Sequence, residues 1–165
     1  MPQDRPVPGS AEDWLARAQG DLALARAPLP EGAFYEDLCF HAQQAAEKAL
    51  KAVYQHYRKA FRYTHDLDEL ITGLKDAGIS VPPEVADANL LTSYAWEARY
   101  PGLSEPITIE EYHEALRQAE LVVNWAVKVL KEESRGNSLF WIRKNRGNAI
   151  CQSFITTRIE TSTTC

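Results

Sequence analysis

His41, Gln44, Lys48, Lys51 and Gln55 recur at i, i+3, i+7, i+10 and i+14, a spacing that lines them along one side of a helix. Lysine ammonium groups hold phosphate as point charges and an amide beside them adds hydrogen bonds, so Gln44, Lys48 and Lys51 form a candidate ligand-binding stripe. The same stripe also reads as a solvated face steadied by the i,i+4 pair of Glu47 with Lys51. Two further candidates lie downstream. His65 and Asp66 sit in a short polar segment suited to chemistry, where Asp66 also reads as a helix N-cap. Arg99 stands beside Tyr100, where a cation also compensates the dipole at a helix end and the tyrosine reads as packed. The sequence contains no GxxxxGK[ST], HExxH or CxxC pattern, so neither a phosphate loop nor a metal or other cofactor is implied.

Helices must position these groups. Ser10, with Asp13 three residues later, resembles a capping box and predicts a first helix from about Ala11 to Ala27, stopped by Pro28 and Pro30. The second runs from about Phe34 to Arg58 without an internal Gly or Pro. Its other side carries Ala42, Ala45, Ala46, Ala49 and Val53, small enough for another helix to approach closely. Asp66 and Glu69 form a capping pair for a third helix bearing Leu67, Leu70, Ile71 and Leu74 and ending at Gly78. Pro82 and Pro83 open a fourth, with Val85, Leu90, Leu91, Tyr94 and Ala95 as its apolar side and Pro101-Gly102 as its end. Thr108 and Glu111 cap a fifth that carries Tyr112, Leu116, Ala119, Val122, Val123, Ala126, Val127 and Leu130. No segment alternates with period two for long enough to predict a strand. The expected fold is all-α, an up-and-down bundle of about five helices over residues 10–133.

A chain of 165 residues can bury one real core, and 45% apolar with 25% charged residues is ordinary for a globular protein. No apolar run is long enough to span a membrane, and residues 1–9 read as a disordered leader without the features of a secretory signal, so a cytoplasmic location is expected. Net charge is −5, which argues against a constitutive DNA-coating protein. It is unevenly spread: residues 1–133 carry 13 basic and 22 acidic residues, whereas residues 134–165 carry 5 and 1. That basic tail reads either as a disordered extension or as an arm adding phosphate contacts through Trp141, Arg143, Lys144 and Arg146. Of the three cysteines, Cys39 beside Leu38 and Phe40 reads as a small buried apolar residue.

Four motifs taken in order carry a resemblance. They are the Trp14-led helix with Asp21-Leu22-x-x-Ala25, the block from Gln43 to Lys51, Thr64-His65-Asp66-Leu67, and Arg99-Tyr100-Pro101-Gly102. Together they resemble a HEPN domain (higher eukaryotes and prokaryotes nucleotide-binding) over about residues 10–132. The resemblance implies an all-α bundle that commonly forms a homodimer, often paired with a minimal nucleotidyltransferase as toxin and antitoxin. Many members are metal-independent ribonucleases whose signature is an arginine followed within a few residues by a histidine. This chain departs from that signature, because the next histidine after Arg99 is His113. Arg58 and His65 match the spacing but fall between helices two and three, and the match is read as chance. Metal-free RNA cleavage needs a general acid and base together with a cation to stabilise the phosphorane-like charge. The resemblance therefore implies binding of a nucleotide, RNA or a nucleotidyltransferase partner, with Gln44, Lys48, Lys51, His65, Asp66, Arg99 and Tyr100 as the ligand-binding set. The alternatives are a ribonuclease toxin using Arg99 with His65, and a purely structural interaction module whose polar stripe is only solvated; the alanine side with Trp96 and Trp125 reads equally as a dimer or partner surface.

Overall fold

A computed structural model describes the backbone of residues 5–97 and 105–148, and the side chains of 5–95 and 105–132. Arg99, Tyr100 and the candidate tail beyond 148 lie outside the described residues, as does the side chain of Trp96. The order of elements is α1 (Ala11–Ala25), α2 (Tyr35–His56), α3 (Leu67–Asp76), α4 (Pro83–Ala86), a 3₁₀ segment (Asp87–Ser93), α5 (Tyr94–Glu97) and α6 (Ile109–Asn148). The fold is all-α, with no strand among the described residues. The chain divides into two units, Met1–Leu130 and Lys131–Cys165. The backbone of α6 stays helical past residue 133, where the sequence predicts the bundle to stop.

The helix ends follow local capping chemistry. Ser10 Oγ accepts the Asp13 N–H, while the Asp13 carboxylate reaches back to the Gly9 N–H. Asp37 accepts the Phe34 N–H at the start of α2. Thr108 and Glu111 bond each other's backbone N–H at the start of α6, as the sequence predicts. At α3, Asp66 accepts the Asp68 and Glu69 N–H groups, and Gly78 takes the left-handed φ of +81° that ends the helix.

The predicted fourth helix is instead three short pieces. Asp87, Asn89, Thr92 and Ser93 favour turns over helix interiors, and Thr92 Oγ1 is drawn away to accept the Leu67 N–H. The 3₁₀ segment has three residues per turn, so its Ala88 and Leu91 stack in one buried row, and Val85 of α4 is buried three residues before them. Leu90, expected on the apolar side of a regular helix, is turned out to solvent by that register.

α1 lies along α2, where Ala18, Leu22 and Ala25 meet the alanine face of α2. Ala42, Ala45, Ala46, Ala49 and Val53 are fully buried, as their spacing predicts, and so is Cys39. α6 contributes Ala115, Ala119, Val122, Val123 and Ala126 to the same core. Its first turn is fixed by Tyr112, which stacks on Tyr35 with ring centroids 5.2 Å apart and donates its hydroxyl to the Ala25 carbonyl. Trp125 is only partly buried against this core. No helix among the described residues is long and apolar enough to cross a membrane.

Candidate nucleic-acid interface

The polar stripe of α2 is neither a solvated face nor an open row of cations. Lys48 Nζ and His41 Nδ1 both bond the carboxylate of Asp21, tying α2 to α1. Lys51 is only 5% exposed. Its ammonium bonds Glu47 Oε1 at 2.7 Å and the Thr64 carbonyl at 3.2 Å. It also lies 5.7 and 5.6 Å from the ring centroids of Trp14 and Phe61. The predicted Glu47–Lys51 pair is present, inside the fold. Gln44 is half-buried and donates to Gln43 and, more weakly, to Glu47.

Glu47 is the hub. Its carboxylate also accepts from Gln43 Nε2 at 3.1 Å and faces His65 Nδ1 at 3.0 Å. Burial pushes its pKa up, but the hydrogen bonds from Lys51 and His65, the Lys51 charge and the Gln43 amide outweigh burial and hold it below the ordinary glutamate value. His65 itself is half in solvent, with 49% of its side chain exposed. The structure thus joins Lys51 and His65 of the predicted set through a residue the set omitted, and leaves Lys48 with Asp21. Asp66 is occupied as the N-cap of α3.

The connection that delivers His65 holds the groups missed by sequence reasoning. From Tyr57 to His65 the chain reads YRKAFRYTH, with three cations, three aromatic residues and no acid. α2 ends as Arg58 enters the left-handed region with φ +52°, while the Lys59 N–H bonds the Tyr54 carbonyl. Arg58, Lys59 and Arg62 are exposed. Arg62 pairs with Glu69 at 2.8 Å in a solvent-exposed contact, the kind that exchanges partners at little cost. Tyr63 is 96% exposed, with its ring 6.1 Å from that of Phe61. Phe61 in turn meets Trp14 edge to face.

Beside this segment opens a cleft of about 380 Å³ between the connection and α3. Lys59, Phe61, Arg62 and Thr64 form one wall, and Glu69, Gly73 and Asp76 contribute to the other. Tyr54 lies at its base, its hydroxyl donated to the Leu70 carbonyl at 2.8 Å. Gly73 is required there, because a Cβ would collide with the Tyr54 hydroxyl. The cations and aromatic residues interleaved through 57–65 are a usable sequence signal, one that is missed when the segment is treated only as a connection between helices. Among the described residues no group of three or more His, Cys, Asp or Glu is placed to hold a metal ion.

Comparison with known proteins agrees with this architecture. The HEPN domain family model matches residues 11–130. The crystal structure of TT1696 from Thermus thermophilus is 31% identical, with 74% of this chain and 99% of that chain covered and a TM-score of 0.64. That of ST0689, an archaeal HEPN homologue, is 28% identical, with 73% and 98% covered and a TM-score of 0.58. No match is found among curated proteins. With the family model spanning the whole described core and a similar structure covered almost end to end, the chain belongs to the HEPN domain family.

Proposed function

We propose that this HEPN-domain protein binds single-stranded RNA or a free ribonucleotide on the α2–α3 connection. The observation that carries the reading is the almost fully exposed Tyr63 ring, set between Arg62 and the Glu47-anchored His65 on a segment bearing Arg58 and Lys59. Nucleic acid without secondary structure is held by cations that follow its phosphates and aromatic faces on which bases stack, about 1–3 kcal/mol per stacked base. Lys48 and Lys51 are neutralised by Asp21 and Glu47, so neither is assigned a phosphate contact; Lys48 ties α2 to α1, and Lys51 supports the connection from within through the Thr64 carbonyl. Ultraviolet cross-linking to a short oligouridylate, followed by peptide mapping, tests the reading. Adducts within residues 57–66 are expected; adducts confined to other segments, or capture only of a protein partner such as a nucleotidyltransferase, would count against it.

One observation favours a second reading, metal-independent cleavage of the bound RNA. A histidine fixed by a buried ionised carboxylate has the arrangement of a general base. Incubation with RNA in the presence of chelator distinguishes the two: cleavage that disappears in His65→Ala supports catalysis, and intact RNA leaves binding alone.

A further inference from the structure

We infer that Glu47 is a positioning residue that fixes the tautomer of His65, so that the outer ring nitrogen accepts a hydrogen bond from a ribose 2′-hydroxyl. The inference rests on the proposed binding site and names the chemical group that the site reads.

An ionised carboxylate only accepts hydrogen bonds, so each atom facing Glu47 must donate. Three of those donors are unambiguous: Lys51 Nζ, Gln43 Nε2 and Gln44 Nε2. The fourth is His65 Nδ1, at 3.0 Å from Glu47 Oε2. With the carboxylate held in its charged form by these partners, the ring proton of neutral His65 belongs on Nδ1. Nε2 is then a bare lone pair, and no partner for it is found among the described residues. The imidazole is half exposed, while Glu47 is buried.

A lone pair repels phosphate oxygen and attracts a hydroxyl donor. On a nucleic-acid strand the 2′-hydroxyl is the donor that separates ribose from deoxyribose. The neighbouring cations Arg58, Lys59 and Arg62 meet the phosphates, which RNA and DNA share, so discrimination falls to His65. The backbone reinforces the ring's placement. Gln43 Nε2 also bonds the His65 carbonyl at 3.2 Å, and Lys51 bonds the Thr64 carbonyl. Glu47, Gln43 and Lys51 therefore hold both the ring and the chain that carries it.

The test uses the full chain in mildly alkaline buffer with three matched short probes: oligouridylate, its deoxy counterpart and its 2′-O-methyl counterpart, with uridine monophosphate to separate free nucleotide from strand binding. Oligouridylate is expected to bind about 3- to 10-fold more tightly than the other two, the usual worth of one hydrogen bond. His65→Ala is expected to erase that ratio, so that the three probes bind alike. A nitrogen NMR spectrum of the His65 ring supplies a readout that needs no variant, and the Nδ1–H tautomer is expected. Equal affinities for the three probes in the wild type, or an Nε2–H tautomer, would overturn the inference and leave the binding reading standing. Failure to bind any probe would overturn both.

Discussion

Glu47 and His65, eighteen positions apart, meet at 3.0 Å and join the middle of α2 to the segment entering α3. The same carboxylate holds Lys51 at 2.7 Å, with both members of that pair buried. Because Glu47 has a folded-state pKa below its ordinary value of 4.5, it contributes stability that is fully present above that value and is lost as pH falls through the lower, folded value. Acid unfolding followed by circular dichroism is expected to steepen below the ordinary glutamate range in the wild type and to flatten in Glu47→Gln. At neutral pH that variant leaves the buried Lys51 without its counter-ion, and the denaturant midpoint is expected to report a loss of roughly 3–5 kcal/mol.

The tight approach of α3 to α2 makes a second prediction. A methyl at Gly73 would meet the Tyr54 hydroxyl, which the Leu70 carbonyl already holds. Gly73→Ala is expected to destabilise the protein by roughly 1–3 kcal/mol. Removing the hydroxyl first should relieve the collision. In a double-mutant cycle by urea denaturation, Gly73→Ala is expected to cost less in a Tyr54→Phe background than in the wild type; equal costs would locate the strain elsewhere.

Arg58 occupies a backbone conformation that suits glycine better than arginine, with φ +52°. A side chain there costs on the order of 1 kcal/mol. Arg58→Gly is accordingly expected to raise the melting temperature slightly and to weaken RNA binding. Improved stability with undiminished binding would remove Arg58 from the interface.

Much of the fold is legible in the sequence because period and capping agree. The alanine face of α2, the caps Ser10, Asp66 and Thr108, and the stop at Gly78 all follow from residues near in sequence. The broken fourth helix is less legible, since Thr92 is diverted to cap α3, a partner twenty-five residues away. The candidate site is harder still. His65 stands out by its polar loop, but spacing, which predicts the Glu47–Lys51 pair, does not reveal that this pair is buried or that Asp21 comes to meet Lys48. Those pairings turn an apparent row of cations into internal ties. The exposed cations of the connection, Arg58, Lys59 and Arg62, then become the available phosphate contacts.

Salt-dependent binding of labelled oligouridylate, read by fluorescence anisotropy, tests the placement of the interface most directly. Each cation withdrawn from a single-strand phosphate lowers the slope of log affinity against log salt by about 0.7. The combined Lys59→Ala and Arg62→Ala variant is therefore expected to lower the slope by about 1.4, and Tyr63→Ala to weaken binding at every salt concentration without changing the slope. Lys48→Ala, whose ammonium is held by Asp21, is expected to retain the wild-type slope. The opposite pattern, a slope reduced by Lys48→Ala and untouched by the Lys59 and Arg62 substitutions, would contradict an interface on the α2–α3 connection and return it to the α2 stripe.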